Sequence, residues 1–513
     1  MLPKSITNQN DNVFSLYKPF RNFLRKTDLV GCLKGIHSHS NHILFGKDLF
    51  VNIIKAPSGY SVARNFSDFI EYGLMPWDLN ILAKEVIIHS EMIGEKKTFE
   101  DWNVLADAAN KLKFIQNKIT KIYVSKANVL GEMHRLSHQQ FVWQRRPQMV
   151  DIAKYWKLYS DPDLKKLLYK TTHLQVDDLY LLGFAFIGFF LGKFAIYYPP
   201  NIEIRHLNNR HVEKFLKRFC LCLEDLKKRL SFEQEMNDKF TYAYNSLHAY
   251  PLIKLQYENR DAIVCPIPAL LFKRITEGLY YEICKQPEFA EVFGKSFQRF
   301  IGIMLNLGGD GLKVFKEEVY DKHKKRTVDW IVYDKNAALF VECKAKRMTI
   351  EAKAALLDDR ELHKQLDIMA DSVVQVYKGI IDYKDNKYPQ IKYNLKTKVY
   401  PVIVTLEEWF LFGDTLIPLL NEKIKNKLSN LNIAESILES SPYAICSVNG
   451  LDLLIQTSKL VGIKKIMSKK NSNADFKVWQ LDTFISTEYK AEMTNIKNLF
   501  MDEFENHLRL NKI

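Results

Sequence analysis

The chain has 513 residues, 47% hydrophobic and 12% aromatic, which excludes a disordered protein and implies roughly two to four packed domains. Its formal net charge of +14 and pI near 9.1 favour a polyanionic partner, either nucleic acid or an anionic membrane. The seven cysteines are odd in number and show no zinc-knuckle spacing, so reduced thiols in a cytoplasmic protein are expected rather than a disulfide scaffold.

The first residues, Met1-Leu-Pro-Lys-Ser-Ile-Thr-Asn, lack the apolar core of a signal peptide. Residues 1 to 75 mix short apolar runs with turn residues. The tract His37-Ser-His39-Ser-Asn-His42 has metal-binding residue types, but no cysteine or acid follows at ligand spacing, and a solvated loop without metal is expected there. From 76 to 255 the pattern is mostly helical, with apolar residues three and four apart over 77–95, 99–130 and 211–237. In the second of these runs Trp102, Leu105, Ala109, Leu112, Ile115 and Ile119 form one stripe. The longest apolar run, 179–192, is 14 uncharged residues. That is short of the ~20 needed to span a bilayer, so a buried helix is expected and no membrane partner. Residues 1–255 therefore read as a mainly helical region that senses, docks or assembles, with another copy of the chain or with a partner protein.

Two prolines in Cys265-Pro-Ile-Pro268 interrupt regular structure, and a boundary is placed at 255/256. Helices are expected over 269–285 and 287–307, the second ended by Gly308-Gly309-Asp310-Gly311. A strand over 312–320 leads into the basic turn Asp321-Lys-His-Lys-Lys-Arg326. Two β-rich runs follow, 328–333 and 338–345, around the polar turn Asp334-Lys335-Asn336-Ala337, which reads as a hairpin. With the turn centred between Lys335 and Asn336, Asp329 falls opposite Glu342, and Lys344 shares the face of Glu342. Val328, Trp330, Val332, Val341 and Cys343 line the other face and call for burial. Two adjacent carboxylates repel unless a hard divalent cation offsets them, and a neighbouring ammonium suits stabilisation of a developing oxyanion. If the basic turn is symmetric, Glu318 faces Asp329 from the other side, ahead of Glu317 by parity. Beyond Lys346 a helix is expected over 350–377, carrying Gln365, Gln375 and Tyr377, then a buried strand over 398–406. Alternating helices and strands follow to 456, and an amphipathic helix over 488–510 closes the chain.

Asp329, followed by Glu342-Cys343-Lys344, resembles the PD-(D/E)XK nuclease superfamily, the restriction-endonuclease-like fold. Val328 stands where the family name has Pro. The segment Gly294-Lys-Ser-Phe297-Gln298-Arg-Phe300 is similar to the family's preceding helix, with Gln298 where Glu often stands. The resemblance implies that Asp329 and Glu342 bind Mg²⁺ or Mn²⁺, with Glu318 or Gln298 as a further ligand, and that Lys344 assists the attacking water. Some members carry a Gln and a Tyr on the helix after the lysine, and of the residues here Gln365 is the candidate for that Gln. The expected architecture is α+β. A helical region over 1–255 precedes an α/β restriction-endonuclease-like domain over 256–513, with a central mixed sheet and a C-terminal helical extension. The expected activity is metal-dependent phosphodiester hydrolysis, of DNA in preference to RNA, with restriction or anti-phage defence as its context. Lys324, Lys325, Arg326 and Lys346 are the expected nucleic-acid contacts. The alternative is an inactive nuclease fold that binds nucleic acid or assembles a complex, a reading favoured by Gln298 in place of the helix acid.

Overall fold

The computed structural model describes residues 5–49, 53–92, 97–124, 129–202, 204–356, 359–411 and 413–508. The fold class is α+β, with a helical N-terminal region and a C-terminal region built around a sheet. The chain divides into two compact units: residues 1–160, 165–286 and 507–513 form one, and residues 161–164 and 287–506 form the other. The expected boundary at 255/256 lies inside the strand Leu252–Tyr257, and the chain changes unit at Pro287 instead.

The first unit is a helical assembly with a small four-stranded sheet. Asp101 caps the helix Trp102–Tyr123 by accepting from the Asn103 N–H, and Leu105, Ala109, Leu112, Ile115 and Ile119 are buried along it as the periodicity predicts. The helix Leu29–Phe45 is unexpected. Asp28 caps its start, and Gly46, at φ 63°, ends it with the left-handed residue that glycine adopts without strain. Its His37, His39 and His42 are therefore buried in a helix and not solvated in a loop. His37 Nε2 lies 2.7 Å from the Phe190 carbonyl, His39 Nδ1 lies 2.7 Å from the Tyr60 hydroxyl, and His42 Nε2 lies 2.9 Å from the Tyr60 carbonyl. The 211–237 run is also not one helix. Strand Cys220–Cys222 divides Asn209–Phe219 from Leu223–Phe232 and pairs in parallel with Leu252–Lys254. The apolar 179–192 run lies largely in a mostly buried helix, Val176–Phe190. Among the described residues no helix is long and apolar enough to cross a membrane.

The second unit is built on a five-stranded mixed sheet. Its elements are α1 (Phe289–Gly308), β1 (Lys313–Lys316), β2 (Trp330–Tyr333), β3 (Ala337–Lys344), α2 (Arg360–Lys384), β4 (Lys398–Thr405), α3 (Gly413–Ser429), β5 (Ala444–Ser447) and α4 (Val448–Val461). The sheet order is β5-β4-β3-β2-β1, with β3, β4 and β5 parallel and β2 antiparallel to both its neighbours. Both faces of the central hairpin are covered. On one, Ile331 and Phe340 join a core with Val373, Tyr377 and Ile380 of α2. On the other, Gly302 of α1 lies so close to Trp330 that a Cβ there would sit 2.0 Å from its ring. The hairpin face that carries Asp329 and Glu342 is thus the edge of a packed layer, not an open surface. The expected 350–377 helix is a short turn of helix, Ile350–Lys353, followed by α2. Within the expected closing helix over 488–510, a 3-10 turn at Glu492–Asn495 precedes the short helix Met501–Leu508.

Candidate active site

The hairpin turn fixes the site. Asp334 Oδ1 accepts from the N–H of Asn336 at 2.7 Å and of Ala337 at 2.8 Å, a local Asx closure. That closure sets Trp330 opposite Val341, so Asp329, one residue before β2, stands against Glu342 near the end of β3. A slip of one residue would send the two carboxylates to opposite faces.

Both oxygens of Asp329 are engaged. Oδ2 accepts from the Cys343 N–H at 2.7 Å, and Oδ1 accepts from Gln298 Nε2 of α1 at 2.8 Å. Glu342 is 4% exposed, and its Oε1 accepts from Lys344 Nζ at 2.9 Å and from Gln375 Nε2 of α2 at 2.8 Å. Lys344 Nζ also donates to Gln375 Oε1 at 3.1 Å. Burial pushes the Asp329 carboxyl up to about 7, the adjacent Glu342 adding to it, while the Cys343 N–H and Lys344 oppose. Glu342 is also raised by burial, against the pull of the Lys344 ammonium. Each carboxylate is short of positive charge, because one ammonium faces two buried acids.

The acid whose charge bears on the pair from the neighbouring strand is Glu317 and not Glu318. The Glu317 N–H donates to the Asp329 carbonyl at 2.9 Å, while the Thr327 N–H donates to the Glu318 carbonyl at 2.9 Å. Two pairs that advance one residue on one strand thus advance two on the other, with Val328 as the extra residue, the pattern of a β-bulge. The bulge shifts the parity on which Glu318 was preferred. The Glu317 charge raises both Asp329 and Glu342, and its own side chain is held by Arg326 at 3.0 Å.

The other expected residues fall as follows. Gln298 reaches the site, but with its amide N–H toward Asp329 and so as a donor. Gln365 does not; it is buried and donates to Glu361. Gln375 takes the place expected of it, about three turns further along α2. Tyr377 is core, its hydroxyl on the Ser441 carbonyl. Lys324, Lys325 and Arg326 are exposed at the end of a two-stranded ribbon, with Lys325 3.8 Å from Asp321. Lys346 is exposed beside Lys344 and lines the same hollow.

Among the described residues no three His, Cys, Asp or Glu side chains converge closely enough to hold a metal ion by themselves. The pair Asp329 and Glu342 remains suited to an ion that keeps most of its ligands as water or substrate oxygen, which is how Mg²⁺ is commonly held.

No family model matches the chain, and no curated protein matches it. One solved structure is similar at 15% identity over 43% of this chain and 97% of its own, with a TM-score of 0.21: the small subunit of the heterodimeric restriction endonuclease R.BspD6I.

Proposed function

We propose that the second unit is a metal-dependent nuclease that hydrolyses phosphodiester bonds, with DNA as its first substrate. One observation carries the reading: two buried carboxylates, each raised by burial, share a corner of the sheet with one ammonium 2.9 Å from Glu342. A structural ion pair has no need of the second acid. Two acids and one ammonium leave the site short of one positive charge, which a divalent cation more than supplies.

Asp329 and Glu342 would hold Mg²⁺ or Mn²⁺, whose chemistry when bound is to lower the pKa of a water and offset charge on the phosphate. Gln298 and the Cys343 N–H orient the Asp329 carboxylate by hydrogen bonds to its two oxygens. Gln375 holds Glu342 and Lys344 in one cluster, so the ammonium is placed before substrate arrives. Lys344, with 30% of its side chain exposed, can turn from Glu342 toward a phosphate oxygen or an attacking water. The ribbon carrying Lys324, Lys325 and Arg326 contributes sequence-independent attraction to the backbone. The first unit is the docking or assembly module of this reading.

The test is incubation of pure protein with plasmid, single-stranded DNA and RNA, with Mg²⁺, with Mn²⁺ and with chelator. Cleavage that appears with the metal and stops with the chelator is expected. Tight binding without cleavage under every metal condition would leave a nucleic-acid-binding protein instead.

A further inference from the structure

The formal charge of the chain is not shared between its two units. The first carries 42 Lys and Arg against 27 Asp and Glu, a net +15, and the second 32 against 33, a net −1. The candidate active site therefore lies in the unit with no surplus of cations. Attraction of a polyanion by net charge comes from the first unit.

Part of that surplus is gathered on two adjoining helices, Pro162–Thr172, which enters the first unit at Lys165, and Asn209–Phe219. Leu167 and Leu168 of the one and Val212, Phe215, Leu216 and Phe219 of the other are buried. Along the first helix and just past its end, the exposed Lys166, Tyr169, Lys170 and His173 recur three and four residues apart, as one outer stripe. Arg210, Lys214 and Lys217 form a like stripe on the second. The stripes meet where the Lys214 ammonium donates to the His173 carbonyl at 2.9 Å and the Arg218 guanidinium donates to the Thr171 carbonyl. Those two cations answer carbonyls left open at the C-terminal end of the first helix, where positive charge is favoured. They account for the packing of one helix on the other and leave Lys166, Lys170, Arg210 and Lys217 exposed beside them. Lys166, Arg210 and Lys217 have no carboxylate in ion-pair contact among the described residues. The acids on the two helices are Asp163, held by Arg299 at 2.8 Å, and Glu213.

We infer that this face holds the phosphate backbone of duplex nucleic acid, which makes the first unit a nucleic-acid-docking module. Seven residues of helix rise about 10 Å, so each stripe spans about three phosphates of one strand. A single strand is gripped in grooves that offer rings for its bases to stack on. Here the exposed rings are Tyr169 and His173, and they close edge-on against each other at 6.4 Å. A bilayer surface is bound by helices that turn an apolar face outward, and these two bury theirs. Phosphate contacts fix position and carry no sequence information, so the docking is independent of sequence. The inference goes beyond the nuclease reading and does not rest on it, since it needs neither a metal nor a cut.

The experiment is equilibrium binding of a fluorescent DNA duplex by the full chain, in chelator so that no strand is cut, over a titration of salt. The face variant is Lys166→Gln, Lys170→Gln, Arg210→Gln and Lys217→Gln together. The control is Lys335→Gln, Lys396→Gln, Lys464→Gln and Lys465→Gln, which removes equal charge from exposed positions of the second unit. The face variant should bind at least about tenfold more weakly, and its slope of log affinity against log salt should shrink by up to about 3.6, at about 0.9 per contact. The control should stay close to wild type. Lys166→Gln with Lys170→Gln, and Arg210→Gln with Lys217→Gln, should each lose about half of the slope change, and they decide if the fourfold variant fails to fold. A single strand should bind more weakly than the duplex, and phosphatidylserine–phosphatidylcholine vesicles should not displace it. If face variant and control lose affinity alike, the attraction belongs to net charge and the inference fails. It fails too if the face variants bind like wild type, if the single strand binds as tightly as the duplex, or if the vesicles displace the duplex. Cleavage by wild type with Mn²⁺ in any of those cases leaves the nuclease reading standing. A face that holds the duplex in a protein that cuts under no metal condition leaves this inference standing and the nuclease reading lost.

Discussion

Lys344→Ala is the sharpest perturbation of the proposed chemistry. The ammonium is 2.9 Å from Glu342 Oε1 and 3.1 Å from Gln375 Oε1, and its side chain is 30% exposed, so little packing is lost with it. Two consequences follow, and they separate. Loss of one preorganised charged donor costs about 3 kcal/mol in the transition state, or about a hundredfold in rate. Loss of the counter-charge also lets Glu342, 4% exposed, hold its proton to higher pH, which weakens its grip on a cation. More Mn²⁺ or a higher pH should restore the second deficit and not the first. The assay is single-turnover cleavage at saturating protein, over a Mn²⁺ titration, at two pH values. A variant that reaches the wild-type rate at saturating Mn²⁺ would refute the role given to this lysine, and one unchanged at every Mn²⁺ concentration would refute the site.

Four further outcomes are expected. Asp329 titrates near 7 in the fold against an ordinary 3.8, so its contribution to stability is complete below the lower value and is lost as pH rises through the upper one. Without divalent cations the melting temperature should fall between pH 5 and pH 8, and Asp329→Asn should flatten that fall, gaining at most about 4 kcal/mol at pH 8; differential scanning calorimetry in chelator reads it. Glu317→Gln should reduce apparent Mn²⁺ affinity several-fold while Glu318→Gln leaves it unchanged, measured by cleavage rate against metal concentration. Neutralising Lys324 and Lys325 together should weaken DNA binding and flatten its dependence on salt by up to about two contacts, with the rate at saturating protein preserved. Gln298→Glu should lower the melting temperature in chelator, since it sets a third acid against Asp329, and should recover stability when Mn²⁺ is added.

Much of the site could be read from the sequence because hairpin register is a local property. A four-residue turn headed by Asp334 fixes which residues oppose, and alternation then carries Asp329, Glu342 and Lys344 to one corner. The same alternation failed across the basic turn, because the extra residue at Val328 is a backbone event that leaves no mark in side-chain pattern. The helix after Lys344 was legible as a helix, but not in phase. The short helix Ile350–Lys353 ends before α2 begins at Arg360, and packing on Phe340 and Ile331 turns Gln375, not Gln365, toward Glu342. The 211–237 run and the His37–His42 tract were misread for a shared reason. Apolar spacing suggested one helix in the first and polar composition a loop in the second, and tertiary partners, Leu252–Lys254 in one case and Tyr60 in the other, decided otherwise.

Glu317 also bears on whether Gln298 disables the site. In the reading that made the protein an inactive nuclease fold, the glutamine removes an acid that the metal needs. In the structure Gln298 spends its N–H on Asp329 and adds no charge, so the loss is real at that position. The charge of Glu317, one residue past β1, nonetheless acts on the same pair and raises both carboxylates. The register of β1 on β2 is what puts it there: Lys316 pairs with Trp330, so alternation brings Glu317 opposite Asp329, and the bulge changes the parity only beyond that pair. Arg326 holds Glu317 from the outside at 3.0 Å, and Arg326 is itself exposed on the ribbon proposed to meet the nucleic-acid backbone. A phosphate that engaged Arg326 would compete with Glu317 for the guanidinium and free the third acid toward Asp329 and Glu342. In the nuclease reading, Glu317 would then stand in for the acid missing from the helix.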